Sequence, residues 1–268
     1  MPVLLMRLAA PMQSWGAGSR FTRRDTEMMP TKSGVIGMLA AAMGMGRDQS
    51  LERFSGLRFG VRVDQPGTLM SDFHTAEDLK HKPSTGRGKN MLPLSIRYYL
   101  QDAVFLAGLE SPDVQELERY RSALRSPYYP IFLGRRSCPP DGPIRTWISP
   151  EPLEEALQHA PWCASDWYQR KAVAGSVSFP EQCFAEIMVE PAADGTQRTF
   201  TDTIADEPTS FDPRDRRWRP RSVTRLPDVR MADAPDRISS APLFEDDAIF
   251  DTVAAAAEPA EVAGTEEL

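Results

Sequence analysis

Apolar positions along the first 150 residues recur in two periods, and the order of those periods predicts the architecture. Val3–Ala9 is a continuous apolar run broken only by Arg7, which suits a buried first strand. An irregular segment follows at Pro11–Gly16. Thr31-Lys32-Ser33 then opens a helix, with Thr31 as N-cap and Val35, Ile36, Leu39 and Met43 near one face. Leu57–Val63 alternates Leu, Phe, Val and Val with Arg58, Gly60 and Arg62, which predicts a half-buried strand with basic residues on its other face. Ala103–Leu109 reads as another strand, and Ser111–Ser126 as a helix with Pro112 in its first turn and Val114, Leu117 and Leu124 at roughly helical spacing. A last strand at Ile131–Leu133 or Ile144–Ile148 completes β-α-β-β-α-β, an α+β unit of ferredoxin-like (RRM-like) type over residues 1–149. The RNP aromatic signature of RRM domains is missing from the sequence, and fold alone assigns no function.

An insertion of about residues 70–101 separates the second and third strands. Its middle holds Pro83, Ser84, Thr85, Gly86 and Gly88 among many bases, and a basic loop of that length is more than a passive connector. Residues 150–231 form a β-rich or irregular C-terminal region, with a short helix at Glu151–His159 and a strand at Cys183–Glu190. Asp212–Arg237 carries eight arginines and five aspartates interrupted by four prolines, and it reads first as a solvated linker. An RNA-contacting arm or a family-specific extension are the other readings. Residues 232–268 are rich in Ala, Pro and acids, which predicts a disordered acidic tail.

Composition narrows the setting. Apolar content of 41% and charged content of 26% are ordinary for a globular protein, and 268 residues suffice for a proper core. No apolar run approaches the ~20 residues that span a bilayer. Cys138, Cys163 and Cys183 are isolated, which gives neither a zinc site nor a disulfide framework and fits a cytoplasmic setting. The net charge of −7 argues against nucleic acid until its distribution is considered. Eight acids and no Lys or Arg follow Ala241, more than the whole excess, while the first 47 residues hold six bases against Asp25 and Glu27.

Arg20, Arg23, Arg24 and Lys32 surround a helix N-terminus, where free N–H groups and partial positive charge attract phosphate. The plainer reading is a solvated basic loop. A nucleotide-binding P-loop is excluded, because Met29-Pro30 stand where glycine amides are needed. Trp15 and Phe21 are candidate stacking residues. Arg135, Arg136 and Ser137 follow Gly134 and could fork onto phosphates, or form a solvent-facing turn. His74, His81, Lys80, Tyr98 and Tyr99 are the groups that general acid–base cleavage of RNA would use, but their spacing defines no constellation.

Three ordered segments, Leu4–Gly16, Phe21–Gly44 and Tyr129–Pro139, resemble the CasD family of type I-E CRISPR Cascade subunits. The Asp72–Thr75 and Tyr98–Asp102 stretches match the flanks of that family's inserted thumb. The resemblance implies a non-catalytic, repeat-associated RNA-binding protein that caps the crRNA 5′ handle, beside the large subunit and the backbone subunits. A metal-independent repeat endonuclease and a structural adaptor without RNA contact are the alternatives. Carried over, Arg20, Arg23, Arg24, Lys32 and Ser33 bind handle phosphates, and Arg135, Arg136 and Ser137 close the groove. His74, Lys80, Lys82, Arg87 and Lys89 belong to the thumb, with Arg97 at its base. No cofactor, metal, membrane or small-molecule substrate is implied. The likeness thins out after Ile148.

Overall fold

A computed structural model describes residues 1–16, 23–77, 94–175, 183–192 and 201–231. Arg20, Phe21, Lys80, His81, Lys82, Arg87, Lys89 and the acidic tail lie outside the described residues. The first elements are β1 (Val3–Ala9), β2 (Met12–Gln13), β3 (Arg23–Arg24), α1 (Lys32–Ala42), β4 (Arg58–Gln65), β5 (Thr68–His74) and β6 (Ser95–Gln101). They are followed by β7 (Val104–Glu110), α2 (Val114–Arg125), β8 (Arg145–Ser149), α3 (Leu153–His159) and α4 (Asp166–Gly175). The chain then adds β9 (Phe184–Val189), β10 (Thr201–Ser210) and β11 (Arg217–Arg230).

Seven strands form one antiparallel sheet in the order β10-β11-β9-β4-β7-β1-β8. The last strand of the N-terminal unit falls at β8, the second of the two sequence candidates. Alternation along β1 divides the core. Leu4, Met6 and Leu8 pack with α1 and α2 residues such as Ile36, Leu39, Leu117 and Tyr120, while Val3 and Leu5 pack on the opposite face with Leu153 and Leu157 of α3. Gly60 and Gly108 are cross-strand partners under α3, and a Cβ there would come within 2.8 Å of Leu157 and 2.7 Å of Leu153. Their bare backbones let α3 sit close to the sheet.

That close helix changes the expected role of β4. Its arginines do not face solvent. Arg62 is fully buried, forked onto Asp64 at 2.6 and 3.0 Å and donating to the carbonyls of Leu157 and Ala160 at 2.6 and 2.7 Å. Arg58 pairs with Glu110 at 3.0 Å and with Glu154.

The segment read as a solvated linker is largely strand. β11 lies between β10 and β9, and its arginines meet acids on both neighbours: Arg219–Glu207 at 3.1 Å, Arg221–Asp206 at 2.5 Å and Arg225–Glu186 at 3.5 Å. Pro220 and Pro227 sit at the register shifts between Ile204/Glu207 and Leu226/Val229, where a missing N–H does least harm to the ladder. Through β9 and β4 the C-terminal strands continue the N-terminal sheet.

Charge also fastens β10 to α1. Thr31 caps the helix as expected, donated to by the Gly34 amide at 3.2 Å. The remaining anion position at this helix N-terminus belongs to the protein itself, since the Lys32 amide donates to Asp206 Oδ2 at 2.8 Å. The Lys32 ammonium, 4% exposed, lies 2.9 Å from Glu190 and 3.3 Å from Glu207. Burial alone would raise the Glu207 carboxyl, but the Arg219 hydrogen bond and the Lys32 charge outweigh it and hold it below the ordinary value of 4.5.

Lys32→Met should therefore remove the cation shared by Glu190 and Glu207, leaving them to Arg221 and Arg219, and lower stability by roughly 2 kcal/mol, read as a lower urea midpoint. Glu207 ionises more readily folded than unfolded, so its contribution is present above its unfolded pKa and is lost as pH falls below about 4.5. A midpoint equal to wild type would contradict the network's role.

Candidate functional site

A second sheet is built around β6. β5 pairs antiparallel along one edge of it, from Thr68 opposite Gln101 to His74 opposite Ser95, and so forms the two arms of a hairpin. The other edge is shared by two short strands. β2 pairs at Met12↔Gln101 and Gln13↔Leu100, and β3 runs parallel at Arg23↔Ile96 and Arg24↔Arg97. Between them the Tyr98 carbonyl is served by side chains: Ser14 Oγ donates to it at 3.2 Å and Arg135 Nη1 at 3.0 Å.

The same guanidinium reaches across to β3. Arg135 Nη2 donates to the Arg24 carbonyl at 2.8 Å and the Asp25 carbonyl at 3.1 Å, while its plane lies 4.9 Å from the Tyr99 ring centroid. A tight loop delivers it, closed by Leu133 N–H to Cys138 O at 2.8 Å and tied to Ser14, whose amide donates to Leu133 O at 3.1 Å. Gly134 has φ +91°, and any Cβ there would collide with the Ser14 carbonyl oxygen. The neck of the first arginine segment is closed by Glu27 N–H to Trp15 O at 2.7 Å and Trp15 N–H to Thr26 Oγ1 at 2.9 Å. Two segments more than 100 residues apart thus meet at Arg135.

Not every residue expected at this site is there. Trp15 is 1% exposed and donates its indole N–H to Gln13 Oε1 at 3.0 Å, so it is core and not a stacking platform. Lys32 and Ser33 are buried, and Lys32 is neutralised by Glu190 and Glu207 as described. The groups brought together are Arg23, Arg24, Arg97, Arg135, Arg136 and Ser137. Arg23 is exposed, pairs with Asp25 at 3.0 Å and lies 5.1 Å over the Tyr98 ring; that hydrogen bond raises its pKa further. Arg24 and Arg136 are exposed, and Ser137 Oγ is 3.4 Å from the Tyr99 hydroxyl. His74 is bound to Asp72 at 2.9 Å. Tyr98 and Tyr99, considered above only as acid–base groups, carry one arginine each. Their adjacency on a strand was the available signal, because consecutive side chains take opposite faces.

Comparison with known proteins places this chain among the CRISPR-associated proteins, since the family described as CRISPR-associated protein (Cas_Cas5) matches residues 3–230. The chain belongs to that Cas5 family. It is 33% identical over 190 residues to the CRISPR system Cascade subunit CasD of Escherichia coli (strain K12), across 64% of this chain and 83% of that protein. A solved chain described as a CRISPR RNA-guided surveillance complex superposes with TM-score 0.65 at 33% identity, covering 85% of this chain and 91% of the other. A second, described as the crystal structure of a Cas protein, gives 0.62 at 31% identity with 90% and 99% covered.

Arg135→Ala should cost about 2 kcal/mol and release amide-exchange protection at residues 23–27 while β1 and β7 keep theirs. Arg135→Lys should behave like the alanine variant, because one ammonium cannot reproduce the fork. Full protection at residues 23–27 in either variant would show that Arg135 does not hold β3.

Proposed function

We propose that this chain is a non-catalytic, crRNA-binding subunit of a type I-E Cascade surveillance complex that caps the 5′ handle of the crRNA. The observation that carries this reading is the junction at Arg135. It holds the Arg23–Arg24 segment against the Ile96–Arg97 stretch of β6 and leaves Arg24 and Arg97 as neighbouring cations on the small sheet, with exposed Arg136 next to Arg135 in the chain. Single-stranded RNA is held by a cationic track for its backbone together with aromatic or guanidinium planes for its bases. Family membership and the likeness to CasD support the same assignment.

The ferredoxin-like reading is supported by the order β8-β1-β7-β4, which in unit numbering is 4-1-3-2. The β5–β6 arms then form the base of the thumb that kinks the RNA where handle meets spacer. The backbone and large subunits of the complex are the protein partners, in the cytoplasm.

Ultraviolet cross-linking of the assembled complex tests the reading. Handle nucleotides should cross-link to this chain at the segments bearing Arg24 and Arg136, and cross-links confined to other subunits would leave only an adaptor. Repeat RNA incubated with the pure chain in EDTA should stay intact, and specific cleavage would overturn the non-catalytic role. Arg136→Ala should weaken RNA binding by at most ~1.5–3 kcal/mol, with unchanged affinity removing Arg136 from the interface.

A further inference from the structure

The β3–β6 pairing divides the arginines between two faces of the small sheet. Residues directly opposite each other on neighbouring strands project to the same face. Arg23 therefore shares a face with Ile96 and Tyr98, and with Leu69 and Phe73 of β5, which are 56% and 64% exposed. Arg24 shares the other face with Arg97 and Tyr99, and Arg135 lies over Tyr99 there.

The faces differ in how their charges are met. Arg23 has its acid, Asp25, and its ring, Tyr98. Arg135 has both Nη atoms engaged by carbonyls. Arg24 and Arg97 stand abreast on adjacent strands, and among the described residues neither side chain makes a hydrogen bond or ion pair. Arg97 Nε is moreover buried with no acceptor. Asp72, the residue across from Arg97, is held by His74 at 2.9 Å. Like charges side by side on a sheet repel, and a desolvated donor without a partner is unfavourable. One tetrahedral anion between the two guanidinia relieves the repulsion, since its oxygens accept from each of them.

Building on the RNA-binding reading above, we propose that Arg24 and Arg97 together clamp a single phosphodiester of the bound RNA, with Arg135 as the positioning residue that fixes Arg24 through its carbonyl. The RNA backbone then passes Arg24 and Arg97 on that face, while Tyr99 stays buried beneath Arg135, and the apolar face carrying Arg23 points away from that phosphate.

The test uses the full chain and a handle-containing RNA, with affinity measured across a series of salt concentrations. Each phosphate neutralised on a single strand contributes about 0.7 to the slope of log K against log salt. Arg24→Gln and Arg97→Gln should each flatten the slope by about 0.7, and the double variant should flatten it little further, because both lose the same phosphate. Arg24→Lys should retain most of the slope. Thermal melts matching wild type establish that the variants fold, and Arg119→Gln on α2 serves as a surface-charge control. Wild-type slopes in both Gln variants, or an equal flattening by Arg23→Gln, would overturn the clamp while leaving RNA binding intact. Absence of RNA binding by the wild-type chain would instead contradict the function on which the clamp rests.

Discussion

The organisation of the small sheet depends on one guanidinium. β2 and β3 are two residues each, too short to hold themselves on an edge, and the Tyr98 carbonyl on the stretch of β6 between them has side-chain donors, Ser14 Oγ and Arg135, in place of a strand. Arg135 fills that gap with a rigid fork of donors, to Tyr98 on one side and to Arg24 and Asp25 on the other. Its own placement is fixed by a loop that passes directly over the Ser14 carbonyl, which only glycine at position 134 allows. Loop, strand segment and β6 are thus one interlocked unit. Any ligand meeting Arg24 or Arg97 meets side chains whose backbones are already fixed, so the ordering cost left at binding is that of the side chains.

The large sheet uses its charges differently. Its arginines and the lysine packed on it are satisfied internally: Lys32 by Glu190 and Glu207, Arg221 by Asp206, and Arg62 on the central strand by Asp64. Breaking such pairs leaves a buried charge, and the Lys32 pairs fasten α1 to β10 and to the end of β9. A count of basic residues therefore says little about where an anion binds. What separates Arg24 and Arg97 from Arg62 or Arg221 is the absence, among the described residues, of a protein acceptor for their side chains.

This contrast also explains what the sequence could reveal. The strands β1, β4 and β7 and the helices α1 and α2 announce themselves by local periodicity, and with β8, one of two candidates for the last strand, their order yields the N-terminal unit. β11 does not, because its alternating arginines and two prolines look solvated until β10 and β9 supply the acids and the bulges. Lys32 looked like a phosphate ligand because a cation at a helix N-terminus is one; Asp206, 174 residues away, takes that anion position. Trp15 looked like a stacking platform because its packing on the first turn of α1 is a tertiary fact. The two arginine motifs were legible as motifs and as a resemblance. That one of them would serve as the bracket and the other would split across two faces depends on strand pairing with no local trace.

The central claim is that Arg135 is a bracket and not itself a phosphate ligand. A high-resolution cryo-electron microscopy map of the chain bound to handle RNA tests it most directly. The account predicts Arg135 still donating to the Tyr98 and Arg24 carbonyls, with a phosphate between Arg24 and Arg97. Arg135 swung onto a phosphate, with β3 detached from β6, would contradict it.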